Sequence, residues 1–212
     1  MAEGALVFGY GSLIETESRK RTNPHAGKAR PARVTGYQRG WFHQFADYVG
    51  SSCTYLGAFA SAGATVNGVI YHVGDFEATK ERETGYTAVK LDPKAIEMLD
   101  GEAPPDKAVY LFVSNLPDIS KTHAPTLAFP MVQSCVDICI NGCLEIEAAY
   151  PNTKAKDFVE EFMRTTIGWN AYWVNDRLYP RRPFIYRPNA TTIDKVLNRH
   201  NLLQLVQLRD IS

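Results

Sequence analysis

The chain has 212 residues, with 23 Lys+Arg balanced by 23 Asp+Glu and a formal net charge of zero. That length fits one domain, or one domain with an appendage, and suffices to bury a substantial core. The balanced charge gives no footprint for nucleic acid or an anionic membrane surface, and no uninterrupted apolar stretch approaches the length of a membrane span.

In chain order, Ala5-Leu6-Val7-Phe8 reads as a buried strand, broken by Gly9 and Gly11. Ser12 with Glu15 three residues later has the capping-box pattern of a helix start. A strand, a tight turn and a helix start in such close succession aim backbone N–H groups and the positive end of a helix dipole at an anion. Arg19 to Arg33, basic and polar with Pro24 and Pro31, reads as a surface connection. The stretches 33–39, 54–59 and 66–73 carry the β-branched and aromatic content of strands, with Gly63 in a turn between the last two. Asp75 is the expected N-cap of a short acidic helix that stops at Gly85, before a strand from Tyr86 to Leu91.

Further on, Pro93 to Leu99 reads as one or two helical turns, and Pro104-Pro105 as a loop. Val109 to Val113 is a strand, and Leu116 to Pro130, with three prolines, is a long loop of the kind that borders binding sites. Apolar residues at 132, 136, 139, 140, 143 and 144 predict a helix over 132–147. Asp157 to Ile167 is a second amphipathic helix, with Glu160 and Arg164 four apart. The stretch 169–188 is dense in aromatics, arginine and proline, and Ile193 to Leu208 closes with a helix. Strands preceding most of the helices argue for an α+β class.

The cysteines are Cys53, Cys135, Cys139 and Cys143. The last three form one row on a helix, and no histidine nearby completes a four-ligand zinc site. They read as small buried side chains, with no metal expected. The N-terminus lacks a basic segment followed by a long apolar one, so no secretory signal is expected. Reduced thiols in a cytoplasmic setting follow.

Three segments carry a family resemblance. Tyr10-Gly11-Ser12-Leu13 follows the first strand. Arg82-Glu83-Thr84-Gly85-Tyr86 leads into a later one. Gln133-Ser134, Val136-Asp137 and Gly142 fall where a helix opens. In this order they resemble the γ-glutamylcyclotransferase-like family over roughly residues 5–148. The resemblance implies a small, mostly antiparallel, barrel-like sheet with external helices. Residues 1–150 would form that core, and 151–212 a helical, aromatic and Arg-rich extension packed on it. It also implies an enzyme that releases 5-oxoproline from a γ-glutamyl compound without a cofactor.

That reaction needs a proton taken from the attacking α-amine and one given to the departing amine, work that one carboxylate can do in turn. Phe76 marks the inner face of the acidic helix. Glu83, seven residues on, points nearly the same way, whereas Glu77 and Glu81 point aside. Geometry and family pattern therefore agree on Glu83. Burial beside Phe76 and Tyr86 is expected to make it a stronger base, with Arg82 as an opposing ion-pair partner. From the family, Tyr10, Gly11, Ser12 and Leu13 are carried over as the substrate-binding loop. The loop would hold either the α-carboxylate or the oxyanion on the γ-carbonyl. Tyr86 either donates a hydrogen bond in the pocket or packs. The chain departs from the family in lacking the tyrosine expected near Cys135. Its stretch with Trp169, Trp173, Arg177, Tyr179, Arg181 and Arg182 lies beyond the common core. That stretch either covers the site and binds a second carboxylate, or packs its aromatics on the sheet.

The partner expected is a small γ-glutamyl molecule, without nucleic acid or membrane; a homodimer stays open. A non-catalytic γ-glutamyl or small-metabolite binding module on the same fold is the alternative. A hydrolase using Cys53 or Ser12 with His43 or His72 is a third reading, but no spacing supports it. Phosphate-loop and dinucleotide motifs do not occur.

Overall fold

The computed structural model describes residues 5–46, 52–83, 85–115, 123–180 and 189–206, without the side chains of residues 22, 46 and 82. Its frame is a long antiparallel hairpin. β2 (Arg30–Ala46) pairs with β3 (Ser52–Val73) from Arg30↔Ile70 to Ala46↔Ser52, with register shifts between Thr35 and Tyr37 and between Trp41 and His43. The three strands expected over 33–39, 54–59 and 66–73 are therefore two long ones. Gly63 does not end a strand; it lies where the ladder skips from Ala60 to Thr65.

β1 (Ala5–Gly9) lies antiparallel on β3 and parallel to β6 (Val109–Ser114), and β4 (Tyr86–Lys90) pairs antiparallel with β6. β5 (Ile96–Met98) pairs with β2, giving the order β4-β6-β1-β3-β2-β5. The end strands β4 and β5 do not pair with each other among the described residues, so the sheet is mostly antiparallel but not a closed barrel. β7 (Met131–Val132) and β9 (Trp173–Val174) make a small parallel pair, and β8 (Thr166–Ile167) runs parallel to Arg39–Gly40 of β2.

Among the described residues five α-helices accompany the sheet: α1 (Thr16–Thr22), α2 (Phe76–Arg82), α3 (Gln133–Ala149), α4 (Phe158–Thr165) and α5 (Ala190–Arg199). None of the described helices is long and apolar enough to cross a membrane. The core lies between sheet and helices: Val7, Phe8, Val69 and Tyr71 meet Val136, Ile140, Cys143, Phe158 and Phe162, all buried. α3 is buried from Gln133 to Cys143, so its polar residues find partners. Gln133 Nε2 donates to Asp137 Oδ1 (2.8 Å), and Ser134 donates through N and Oγ to Asp176 (2.7 and 2.6 Å). Buried polar groups require this.

Several local expectations are corrected. Ser12 does not cap an α-helix: Ser12–Ile14 is a 3-10 turn, and the carboxylate of Glu15 caps α1 by accepting from the Ser18 N–H (2.5 Å). Arg19 is buried, because its guanidinium serves carbonyls of that turn, and Arg30–Arg33 belong to β2. Pro93–Ala95 makes one 3-10 turn, but Ile96 to Met98 is drawn into the sheet. Glu160 meets Arg199 (2.6 Å) and His200 (2.9 Å) across to α5 instead of Arg164. The last helix ends at Arg199, with a 3-10 turn at Leu203–Leu205.

Candidate functional site

The loop after β1 is held from beneath. Ile14 N–H donates to Gly11 O (3.0 Å), closing the 3-10 turn, and Arg19 Nη1 donates to Leu13 O (3.0 Å) and Ile14 O (2.8 Å). The Tyr10 hydroxyl donates to Phe112 O on β6 (2.8 Å). Burial, followed by the charge of Glu83, pushes that phenol far above its ordinary range, so it stays protonated. Arg39 Nη1 donates to Tyr10 O (3.0 Å) and Asn67 O (2.7 Å). Its other donors reach Asn67 Oδ1, Phe162 O, Thr165 Oγ1 and Thr166 Oγ1 at 2.8–3.0 Å. Burial lowers the Arg39 pKa to about 10, which still leaves a cation at neutral pH. None of its six hydrogen-bond acceptors is a carboxylate.

α2 supplies the second component. Asp75 caps it as expected, Oδ1 accepting from Ala78 N–H (2.9 Å). Phe76 faces inward, its ring 4.4 Å from that of Tyr110 and 6.4 Å from that of Phe112. Glu77 and Glu81 are exposed; Glu77 pairs with Lys80. Glu83 follows the last helical residue, half-buried, its N–H donating to Thr79 O (3.1 Å) and its carbonyl accepting from Tyr86 N–H (3.1 Å). Gly85, at φ +86°, makes the reversal from helix to strand, a conformation natural to glycine. The Arg82 side chain lies outside the described part.

A cavity of about 360 Å³ lies between these parts. Tyr10, Gly11, Ser12, Leu13, Glu83 and Tyr86 all line it, although more than seventy positions separate the first from the last. The Tyr86 hydroxyl donates to Leu56 O (2.9 Å), and its ring stacks on His43 with centroids 4.0 Å apart. Tyr86 is thus bonded and packed at once.

His43, expected from sequence only in the hydrolase reading, also lines the cavity. Its Nδ1 forms a hydrogen bond with Ser114 Oγ (3.1 Å). Burial, with a further contribution from His123, lowers its pKa to about 4, so the ring is neutral at physiological pH. The signal available in sequence was period-two alternation of Trp41, His43 and Phe45, which now all face the cavity. His72 is exposed and Cys53 is buried in β3.

Cys135 and Cys139 form part of the cavity wall on α3, and the four cysteines are all buried and form no disulfide. Among the described residues no cluster of His, Cys, Asp and Glu has the makeup of a metal site. Trp169 packs between Trp41 and Trp173, at 5.5 and 5.6 Å. Arg177 is held by Asp137 (2.7 Å) and Asp194 (2.8 Å), and Tyr179 is exposed. Arg181, Arg182 and residues 116–122 of the long loop lie outside the described residues.

No family model matches the sequence, and no curated protein matches it. Solved structures are similar in fold. A γ-glutamyl cyclotransferase is 17% identical, with a TM-score of 0.54 over 76% of this chain and 86% of its own. An uncharacterized protein from Homo sapiens is 16% identical, with a TM-score of 0.52 over 74% of this chain and 99% of its own. These likenesses establish a shared α+β fold.

Proposed function

We propose that the chain is a γ-glutamylcyclotransferase with Glu83 as its general acid and base. One observation carries the reading: Glu83, the Tyr10–Leu13 loop and Tyr86 line a single cavity of about 360 Å³, within the size range of small-molecule sites.

In the reaction, the α-amine of a γ-glutamyl compound attacks its own γ-carbonyl carbon. A C–N bond forms within a five-membered ring, and the original γ-amide C–N bond breaks. The nucleophile loses one proton and the departing amine gains one, so 5-oxoproline and a free amine result without water or redox change. Both reacting groups belong to one molecule, and the protein's task is to hold the folded conformer and move the proton. Glu83 takes the proton from the amine and returns it to the leaving nitrogen. The first N–H groups of the Ser12–Ile14 turn have no partner within the turn itself. They and the Ser12 hydroxyl take either the α-carboxylate or the developing oxyanion. Arg39, a buried cation bonded to the carbonyl just before the turn, adds a positive potential that suits either anion.

The test is 5-oxoproline release from glutathione, γ-glutamylalanine and ε-(γ-glutamyl)lysine, with the Glu83→Gln protein alongside. Release by the wild type that disappears in the variant supports the reading. Full activity in Glu83→Gln removes Glu83 from its role. Binding without release by the wild type points to the non-catalytic module.

A further inference from the structure

The distal half of the β2–β3 hairpin builds one side of the cavity. Trp41, His43 and Phe45 face it from β2, and Tyr55 and Leu56 face it from β3, with Trp41 opposite Leu56 and His43 opposite Tyr55 in the ladder. Tyr86 joins this surface by stacking on His43 at 4.0 Å and an interplanar angle of 17°. Tyr86 accepts a place three residues after Glu83, its N–H bonded to the Glu83 carbonyl. Glu83 and the aromatic surface therefore line one cavity, a surface that includes Phe45, which is 36% exposed.

We infer that this wall receives the departing amine, and that the preferred substrates are γ-glutamyl amides of uncharged aromatic or apolar amines. The inference rests on the cyclotransferase reading. The group that protonates the leaving nitrogen must lie next to it, so whatever that nitrogen carries extends from Glu83 along the adjoining surface. That surface is built mostly of aromatic side chains, and its one imidazole is kept neutral by burial. Flat rings gain area and offset stacking on such a wall. A carboxylate carried by the leaving amine would be stripped of water against aromatic carbon. The loop at Ser12 leaves the glutamyl end as the anionic end of the ligand.

The experiment compares kcat/KM for γ-glutamylbenzylamide, γ-glutamylglycine and ε-(γ-glutamyl)lysine, following 5-oxoproline. The Kd of each for the Glu83→Gln protein is measured by calorimetry. The benzylamide should exceed both others by at least about tenfold in kcat/KM, the factor that burying one apolar group carries. Phe45→Ala should shrink that ratio, since Phe45 is at the exposed rim, where truncation spares the core. Turnover of all three with no aromatic preference, or with the glycine compound favoured, overturns the wall assignment and leaves the cyclotransferase reading standing. No turnover of any, with the benzylamide still bound tightest, overturns the reaction and supports the wall. No turnover and no binding preference overturns both.

Discussion

The Gly142 Cα faces the backbone of Glu15: a Cβ built there would lie 2.4 Å from the Glu15 nitrogen and 2.7 Å from the Ile14 carbonyl carbon. α3 can therefore approach the Ser12–Ile14 turn only through a residue without a side chain. The obstructing atoms are backbone, which cannot swing aside as a flexible side chain would. Gly142→Ala should cost about 1–3 kcal/mol, as overpacking of a close contact does. Thermal unfolding should show this as a midpoint lowered by several degrees. An unchanged midpoint would mean that the turn and α3 are not locked together.

Arg39 supports the same loop from the other side. Its guanidinium fills six acceptor positions on β1's exit loop, β3, α4 and β8. Arg39→Met should lose more than about 3 kcal/mol, because several buried oxygens are left without donors together. Arg39→Lys should not restore it, since an ammonium cannot span the same fork of acceptors. Urea unfolding of the two variants checks this; wild-type stability in Arg39→Lys would reduce Arg39 to a generic buried cation.

Much of this site was legible in sequence because it depends on local chemistry. Asp75 as a cap, Gly85 as a stop and Phe76 as an inner face are decided within a few residues, and together they place Glu83. The Tyr10–Leu13 turn was legible as a break after a strand, but its capping was not. Glu15 competes with Ser12 for the role, and the contact of Ile14 and Glu15 with Gly142, over a hundred residues away, favours the 3-10 turn. Long-range pairing hid the rest. Arg19 looked like surface because its acceptors are turn carbonyls. Trp169 packs on Trp41 of the sheet and Trp173 packs on Trp169, partners that sequence could not reveal. For His43 sequence offers only the alternation with Trp41 and Phe45; its neighbours Tyr86 and Ser114 come from other strands.

His43 gives the protein a stability that depends on pH. Its pKa falls from an ordinary 6.5 to about 4 in the fold. As pH drops from about 6.5 to 4, the unfolded chain takes up a proton that the folded protein refuses, so stability is lost over that window and levels off below it. The loss should reach up to about 3 kcal/mol. Glu97, Asp100 and Glu160 are held below their ordinary values by hydrogen bonds and charges from Lys154 and Arg33, Arg30, and Arg199 and His200. Their contributions fade only at lower pH, from about 4.5 downward. Urea unfolding at stepped pH should therefore show a decline between 6.5 and 4 that His43→Gln flattens. An identical decline in the variant would assign the window to other groups.

Glu83 yields the sharpest test, because its backbone and its carboxylate serve different ends. The backbone N–H bonds Thr79 O and the carbonyl receives the Tyr86 N–H, so the turn from α2 to β4 survives any side-chain replacement that keeps the backbone angles. Glu83→Gln preserves shape and removes the charge together with the ability to accept and return a proton. The thermal midpoint should shift little. Turnover should fall by about 10²–10⁴, the contribution of a positioned general base. KM should change far less than kcat, since the Ser12 turn and the Tyr86 ring still define the cavity. Equal losses in kcat and midpoint would instead mark Glu83 as a structural carboxylate at the end of α2. Loss of kcat with an unchanged midpoint separates chemistry from folding and assigns the proton transfer to this side chain.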